Sequence, residues 1–404
     1  MKVICLIVDA LGIGQMEDVP LMSRQCEPAN TLLHVSRYGH RLHIPVMQKL
    51  GLGNIARADG LEAAGVKALA SCGKMELGYE GADTYLGHQI IMGSGSLNYK
   101  KITVQSLCND IIEYLIQNGH TAVLYQASPG PVLVDGCVMI ADCMEAAPGL
   151  SLNVTASLQD VSLDYVMEIA SLVRDIVPVT RVIVVCSEIF SFTQIESAMV
   201  TRENGASGVD TPHLCLLDEK ITLRHLGLKL DLNGQCPTRV ARTKTPVYLI
   251  GKAADVVQCP QARVISLVDT EKIFQTVEQI ITTTDDYLVI ANIQETDLAG
   301  HSQDFKRWAD LLEQVDRHIP TLLEAVGDDG AFILTGDHGN DPYVGKGQHT
   351  REYTPCLLYS SKYIPNHLGI RKTLADIGAT IADLFDAGPT QGGISLLREL
   401  QKKG

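Results

Sequence analysis

The sequence predicts an α/β protein with a mostly parallel sheet between helices and a second, inserted α/β domain. Three short runs without charged residues, at residues 3–8, 287–293 and 331–335, support the sheet. Runs that are apolar on both faces are typical of parallel strands covered by helices. The chain of 404 residues is also longer than one compact core usually holds. We therefore expect one large and one smaller domain.

An acidic residue follows each of the three predicted strands. Asp9 comes directly after the first run, Asp297 lies shortly after the second, and Asp337 follows the third after Gly336. Ligand sites in open α/β sheets lie beyond the carboxyl ends of the strands. The three carboxylates are therefore expected to share one site.

Helix patterns lie between the strands. Residues 304–326 and 371–385 show amphipathic spacing, and Pro320 should kink or divide the first of them. The middle of the chain has its own alternation of helix and strand patterns, at residues 111–117, 122–125, 163–176 and 181–186. The Gly/Ser stretch 92–96 is a candidate exit from the core, and the polar stretch 201–220 a candidate return. The prediction is a core domain of residues 1–97 and 222–404 with an inserted cap domain of residues 98–221.

Composition excludes several classes of function. A net charge of -14 argues against a general nucleic-acid binder, which needs a basic face. It leaves a phosphate substrate open, because bound metal ions can supply local positive charge. No apolar run reaches membrane length. The 11 cysteines lack any CxxC pair and indicate free, mostly buried thiols, so we expect a cytoplasmic protein without a membrane or nucleic-acid partner.

Six residues form a candidate metal constellation. Carboxylate oxygens and imidazole nitrogens together suit Mn²⁺ or Zn²⁺, and Mg²⁺ less well. Two such ions roughly 4 Å apart can hold the attacking and leaving oxygens of a phosphoryl transfer. Each residue alone has an ordinary structural interpretation: an aspartate can cap a helix, and a histidine can simply be hydrogen-bonded to its neighbours. Their grouping after the strands favours a metal site. The six residues are Asp9, Asp297, His301, Asp337, His338 and His349.

Thr84 is the candidate nucleophile. It lies in the segment Gly81-Ala-Asp-Thr84-Tyr-Leu-Gly87-His88. A hydroxyl on a turn can coordinate a divalent ion, which lowers its pKa and makes it a nucleophile. Taken alone, a threonine in this position is usually an ordinary turn residue, and its weight as a candidate comes from the motif around it.

Several short motifs occur in a fixed order along the chain. They are Asp9-Ala-Leu-Gly-Ile-Gly14, Ala-Asn30-Thr-Leu32, Asp-Thr84-x-x-Gly-His88, Asp-His338-Gly-x-Asp-Pro342 and His349-Thr-Arg-Glu-Tyr353. This set resembles the phosphopentomutase branch of the alkaline phosphatase superfamily, which also includes the cofactor-independent phosphoglycerate mutases. The resemblance covers residues 1–96 and 224–400.

The resemblance implies an alkaline-phosphatase-like core with an inserted α/β cap domain, and two divalent ions. Mn²⁺ is the ion that it implies, with Zn²⁺ and Mg²⁺ as alternatives. It also implies that Thr84 carries a phosphoryl group, gives it to a small phosphorylated metabolite, and recovers it from a second oxygen. One ion would be held by Asp297, His301 and His349. The other would be held by Asp9, Asp337, His338 and the Thr84 oxygen. Arg224, His225 and Lys252 match family positions near the substrate.

The departures from the family pattern lie where a substrate would be recognised. Ala82 replaces the lysine before Asp-Thr, Gln89-Ile90 replaces Trp-Glu, and Gln348 replaces an aspartate. Two catalytic hypotheses therefore remain. The first is a phosphomutase of a small phosphorylated sugar or related metabolite. The second is a hydrolase of phosphate or phosphonate monoesters, in which water discharges phospho-Thr84. A third hypothesis, a non-catalytic relative, predicts missing ligands, whereas all six residues and Thr84 are present.

Overall fold

The computed structural model describes residues 1–19, 27–126, 130–144, 146, 148–203, 205–214 and 221–403. The chain divides into two compact units. The first comprises Met1–Leu97 and Asp231–Gly404, and the second Asn98–Leu230. Each has its own main sheet.

The first unit is built on an eight-stranded sheet. Its strands are β1 (Lys2–Val8), β2 (Ser71–Met75), β11 (Val247–Ile250), β12 (Arg263–Ile265), β13 (Tyr287–Ile293), β14 (Ala331–Thr335), β15 (Thr354–Tyr359) and β16 (His367–Arg371). The spatial order is β12-β11-β13-β1-β14-β15-β2-β16. Only β15 is antiparallel to its neighbours, β14 and β2. The predicted α/β fold with a mostly parallel sheet is confirmed.

The register of the central strands fixes where the site lies. β1 is parallel to both neighbours, with Val8 opposite Ile293 of β13 and Ile7 opposite Thr335 of β14. Apart from Lys2 at the start of β1, every residue of these three strands is buried, as their apolar sequences require. Because the three strands end at the same edge of the sheet, the residues that follow them meet there.

The described residues of the first unit form nine α-helices. They are α1 (Thr31–Tyr38), α2 (Pro45–Leu50), α3 (Thr84–Ile91), α8 (Cys236–Arg242), α9 (Lys252–Val256), α10 (Thr270–Thr283), α11 (Glu295–His301), α12 (Phe305–Val326) and α13 (Ala375–Leu384). Short 3₁₀ turns lie at Leu52–Asn54, Gly65–Lys67, Leu232–Gly234 and Leu396–Glu399.

Two helix predictions need correction. Of the two outcomes expected at Pro320, a kink or a division, the division is wrong, because α12 continues through it. The buried stripe that includes Trp308, Leu312 and Ile319 holds the helix on the sheet, which offsets one missing backbone hydrogen bond. The helix expected from residue 371 begins at Ala375 instead, since Arg371 is the last residue of β16.

The second unit contains a six-stranded sheet of order β10-β7-β6-β5-β4-β3 and a small hairpin, β8-β9. Its strands are β3 (Ala122–Leu124), β4 (Val132–Val134), β5 (Val138–Asp142), β6 (Ser151–Ser157), β7 (Arg181–Ser187), β8 (Met199–Thr201), β9 (Ser207–Val209) and β10 (Thr222–Gly227). Its helices are α4 (Val104–Gln117), α5 (Leu163–Ile176), α6 (Phe192–Ser197) and α7 (Thr211–Leu214).

The predicted return to the core at residue 222 was placed too early. β10 pairs antiparallel with β7, so this strand belongs to the second unit, which ends at Leu230. Part of the polar stretch on which that prediction rested, residues 204 and 215–220, lies outside the described residues.

Two compositional features can be compared with the described residues. The structure describes nine of the 11 cysteines, and all of these but Cys137 are buried. Within the same ranges, every helix is too short or too polar to cross a membrane.

Candidate active site

Three buried carboxylates mark the edge of the sheet where β1, β13 and β14 end. Asp9 directly follows β1, Asp297 lies in the first turn of α11, and Asp337 lies two residues beyond β14. Each is at most 2 % exposed. The convergence predicted from the strand ends is therefore present, and it places three acidic groups where water cannot solvate them fully.

The first ligand cluster consists of Asp9, Asp337 and His338, whose donor atoms all lie within 4.8 Å of one another. His338 Nε2 lies 3.3 Å from Asp337 Oδ2 and 3.5 Å from Asp9 Oδ1. The backbone N–H groups of Ala10 and His338 both donate to Asp337 Oδ1, at 3.1 Å. These bonds fix the Asp337 carboxylate so that Oδ2 is directed towards the cluster.

The second cluster consists of Asp297, His338 and His349. His349 Nε2 lies 3.4 Å from Asp297 Oδ1 and 3.2 Å from His301 Nε2. His301 Nε2 in turn lies 3.3 Å from Asp297 Oδ2. The rings of His338 and His349 stack with their centroids 3.9 Å apart. His338 thus stands between the two clusters, and all six predicted ligands lie in one continuous site.

Backbone carbonyl groups orient the three imidazole rings. The Nδ1 atoms of His301, His338 and His349 lie 2.8, 3.0 and 3.3 Å from the carbonyl oxygens of Gly347, Gly339 and Ala82. An Nδ1–H that donates to a carbonyl leaves the Nε2 lone pair free, which is the arrangement that metal-ligating histidines show. In all three residues the Nε2 atom faces the acidic centre. Position 82 therefore contributes through its backbone, whatever its side chain.

Thr84 is held against the first cluster. It is the first residue of α3, which Asp83 caps by accepting a hydrogen bond from Leu86 N. The Thr84 hydroxyl donates to Asp337 Oδ2 at 2.7 Å. A Cβ atom on Gly87 would lie 2.6 Å from the Asp337 carbonyl oxygen, so glycine at this position allows the close approach of α3.

Lys252 lies in the site, whereas Arg224 and His225 lie on β10 of the second unit. The Lys252 ammonium is 2.9 Å from Asp9 Oδ2 and 3.2 Å from Asp297 Oδ2. Its charge partly neutralises a carboxylate from each proposed ligand set. The structure therefore brings Lys252 together with the predicted metal ligands. The roles of Arg224 and His225 stay predictions.

Burial and crowding shift the pKa values of these groups in different directions. Burial and the nearby Asp337 carboxylate raise the pKa of Asp9 to about 6. Burial also acts to raise the pKa of Asp297, but Lys252 and His301 outweigh it and hold that pKa well below its usual range. Burial and His338 lower the pKa of His349 to about 4, so its imidazole is neutral at neutral pH and can act as a ligand.

The donor set fits divalent cations. Asp9 Oδ1 and His338 Nε2 are buried, and within the described ranges neither has a hydrogen-bond partner. Buried polar atoms normally have a partner, and two unpartnered donor atoms 3.5 Å apart are arranged as a pair of ligands to one cation would be. Carboxylate and imidazole donors at this spacing suit Mn²⁺ or Zn²⁺.

Comparison with known proteins agrees with a metal-binding role. The family model described as the metalloenzyme superfamily matches residues 1–388. The chain belongs to the metalloenzyme superfamily. A phosphopentomutase of Alkaliphilus oremlandii (strain OhILAs) is 28 % identical to this metalloenzyme over 417 residues, which cover 99 % of each chain.

Solved structures show weaker likeness to this metalloenzyme. The PH0037 protein from Pyrococcus horikoshii is 15 % identical with a TM-score of 0.47, covering 97 % of this chain and 99 % of its own. The phosphoglycerate mutase of Leishmania mexicana is 13 % identical with a TM-score of 0.47, covering 96 % and 97 %. The alkaline phosphatase from the Antarctic bacterium TAB5 is 11 % identical with a TM-score of 0.38, covering 96 % and 98 %.

Sequence reasoning missed three residues that support the site of this metalloenzyme. The Asn292 side-chain amide donates to Asp9 Oδ2 at 3.2 Å, and Asn340 donates to Asp297 Oδ1 at 2.9 Å. Glu352, fully buried, accepts hydrogen bonds from the backbone N–H groups of Gly14 and Thr31. Asn292 was hidden inside an apolar strand. Asn340 and Glu352 lie within the motifs found in the sequence, but the sequence did not show that their side chains are buried.

Proposed function

We propose that this metalloenzyme is a phosphomutase that transfers a phosphoryl group to and from Thr84, with a small phosphorylated sugar or related metabolite as substrate. The observation that carries the proposal is the position of the Thr84 hydroxyl, 2.7 Å from Asp337 Oδ2 within the first ligand cluster. A hydroxyl held beside candidate metal ligands is placed as a nucleophile. The similarity to a phosphopentomutase along the whole chain supports the same chemistry.

Two divalent ions belong to this proposal, with Mn²⁺ as the expected ion and Zn²⁺ or Mg²⁺ as alternatives. Asp297, His301 and His349 would hold one, and Asp9, Asp337, His338 and the Thr84 oxygen the other. When bound, such ions supply positive charge that stabilises the oxygens of a transferring phosphoryl group.

Each transfer breaks one phosphorus–oxygen bond and forms another. The phosphoryl group leaves Thr84 Oγ1 for a hydroxyl oxygen of the substrate, which gives up its proton, and Thr84 regains a proton. The reverse step, from a second oxygen of the bisphosphate, restores phospho-Thr84. Before phosphorylation, Asp337 Oδ2 accepts a hydrogen bond from the Thr84 hydroxyl and so holds it in place. Because Thr84 begins α3, the phosphoryl group would lie at a helix N-terminus, where the helix dipole favours negative charge.

Three residues and the second unit are proposed to bind the substrate. Lys252 is proposed to contact the phosphoryl group, because its ammonium lies beside Asp9 and Asp297. Arg224 and His225 are proposed substrate contacts on β10. The second unit, Asn98–Leu230, is proposed to act as the cap domain.

A phosphate or phosphonate monoester hydrolase is the second candidate, favoured by the altered nucleophile loop. Gln89 does not face a substrate, because its buried side chain donates to Val256 O at 2.7 Å and accepts from Gln235 at 2.8 Å. The loop also has Ala82 where the mutase pattern has a lysine, and Gln89-Ile90 where that pattern has Trp-Glu.

Incubation of the Mn²⁺-loaded protein with ribose 1-phosphate separates the two functions. Conversion to ribose 5-phosphate without loss of organic phosphate is the result expected for the mutase. Stoichiometric release of inorganic phosphate would establish the hydrolase instead. A wild-type protein that does neither with any of a panel of phosphorylated metabolites would contradict the proposal.

A further inference from the structure

A second pocket in the first unit carries positive charge but contains none of the proposed metal ligands. Its volume is about 500 Å³, and it lies beside the edge strand β16. Its polar lining consists of Asn30, Asn54, Arg57, Lys74 and His367. No aspartate or glutamate is among the described residues that line it.

Two cations in this pocket lack acidic partners. Lys74, on β2, is half-buried, and burial together with the nearby Arg57 guanidinium lowers its pKa. Its ammonium lies 5.6 Å from the centre of the Tyr353 ring. Across the parts of the chain that the structure describes, neither Lys74 nor Arg57 forms an ion pair with a carboxylate. Acidic residues outnumber basic ones in this chain, 47 to 33, so two neighbouring unpaired cations are not explained by composition.

Neutral donors complete the pocket. His367 Nδ1 accepts a hydrogen bond from Gly369 N at 3.1 Å, so the ring proton is on Nε2, which is a donor. Asn30 Oδ1 accepts from Leu33 N at 3.1 Å, which leaves its NH₂ group available as a donor. The pocket thus offers an ammonium, a guanidinium, an imidazole N–H and an amide, all of which donate to anions.

We propose that this pocket binds the phosphate group of a small phosphorylated molecule, at a site separate from the metal centre. Lys74 supplies a compact charge, and Arg57 can bind two phosphate oxygens at once. The volume is larger than a bare phosphate requires and lies within the range of small-molecule sites, about 300–1,000 Å³. The ligand class is therefore a phosphate ester.

Calorimetric titration of the Mn²⁺-loaded protein at fixed ionic strength tests this site, with inorganic phosphate and glucose 6-phosphate as probes. Wild type should show a class of binding that the double variant Lys74→Gln/Arg57→Gln weakens about tenfold or more, because two charge-assisted contacts are lost. Lys74→Arg should retain it. The matched control Lys67→Gln/Arg41→Gln, which removes two exposed cations outside the pocket, should leave it unchanged.

An Asp337→Asn variant separates this proposal from the proposed function. It should lose phosphate binding at the metal centre and keep binding at the pocket. Equal binding by wild type and by a double variant with an unchanged melting temperature would overturn the proposal. So would complete loss of binding in Asp337→Asn. Failure of glucose 6-phosphate to bind where inorganic phosphate binds would contradict the assignment to a phosphate ester.

Discussion

The ammonium group of Lys252 lies 2.9 Å from Asp9 Oδ2, at the edge of the sheet where β1 ends. Asp297 Oδ2 lies 3.2 Å from the same ammonium. One lysine therefore offsets part of the negative charge of both proposed ligand sets. Bound divalent ions would supply the same positive charge, so the contribution of Lys252 to stability should depend on metal.

Replacement of Lys252 by methionine tests this dependence. In metal-free protein, Lys252→Met should lower the free energy of unfolding by about 3–5 kcal/mol, because it leaves buried carboxylates unpaired. With Mn²⁺ bound the loss should be smaller. Thermal unfolding with EDTA and with Mn²⁺ measures both. The matched control is Lys306→Met, which breaks an exposed pair with Asp310 and should cost far less, because exposed ion pairs contribute little to stability. An equal loss in the two conditions would contradict the account.

Metal stoichiometry should follow the two proposed ligand sets. Wild type should bind two Mn²⁺ ions per chain. Asp297→Asn and Asp337→Asn should each bind one, while Asp310→Asn, on the surface, should still bind two. At a free Mn²⁺ concentration 100 times Kd, each retained site should stabilise the fold by about 2.7 kcal/mol. Elemental analysis after dialysis gives the stoichiometry. Two ions retained in both site variants would show that these carboxylates are not ligands.

Glu352 should be a major determinant of stability near the site. Its Oε2 accepts from Gly14 N and Thr31 N, at 3.1 and 2.9 Å, and its Oε1 accepts from the hydroxyls of Thr31 and Thr350, at 2.6 and 2.7 Å. A glutamine NH₂ group cannot accept two of these bonds. Glu352→Gln should therefore lower the free energy of unfolding by about 2 kcal/mol or more, as measured by urea denaturation. Glu62→Gln, on the surface, serves as the control. A Glu352 variant as stable as this control would refute the role.

The second unit should show an acid-sensitive contact at Asp135. Its carboxylate accepts from Thr121 N, at 2.8 Å, and from Tyr165, and it lies 2.8 Å from His120 Nδ1. Burial acts to raise the pKa of Asp135, but Tyr165 and the other donors hold it well below its usual range. A depressed carboxyl pKa stabilises the fold above the unfolded-state value, about 4, and this stabilisation is lost as the pH falls.

The difference in melting temperature between wild type and Asp135→Asn should consequently be largest near neutral pH and should shrink below about pH 4. Scanning calorimetry across that range measures it. Asp175→Asn, which affects only an exposed pair with Lys229, should show no such trend. A constant difference at every pH would mean that ionisation of Asp135 does not contribute.

Strand ends were predictable because buried parallel strands have a simple sequence signature. The runs before Asp9 and Asp337 predicted both the sheet edge and the convergence of the acids there. The position of His338 between the two clusters was not predictable, because it depends on a ring stack with His349 that spacing does not encode. The same holds for β10, whose pairing with β7 is a tertiary contact. The burial of Glu352 likewise depends on Gly12 and Gly339, where a Cβ atom would lie 2.4 Å from the carboxylate.

Phosphorylation of Thr84 is the central claim, and intact-mass analysis tests it most directly. The Mn²⁺-loaded protein, quenched rapidly during turnover of a phosphorylated sugar, should carry one phosphoryl group that fragment analysis places on Thr84. Thr84→Ala should carry none and lose about a thousandfold or more in activity, whereas Thr84→Ser, which retains a hydroxyl, should still be labelled. A Thr84→Ala protein that is phosphorylated or turns over like wild type would contradict the account.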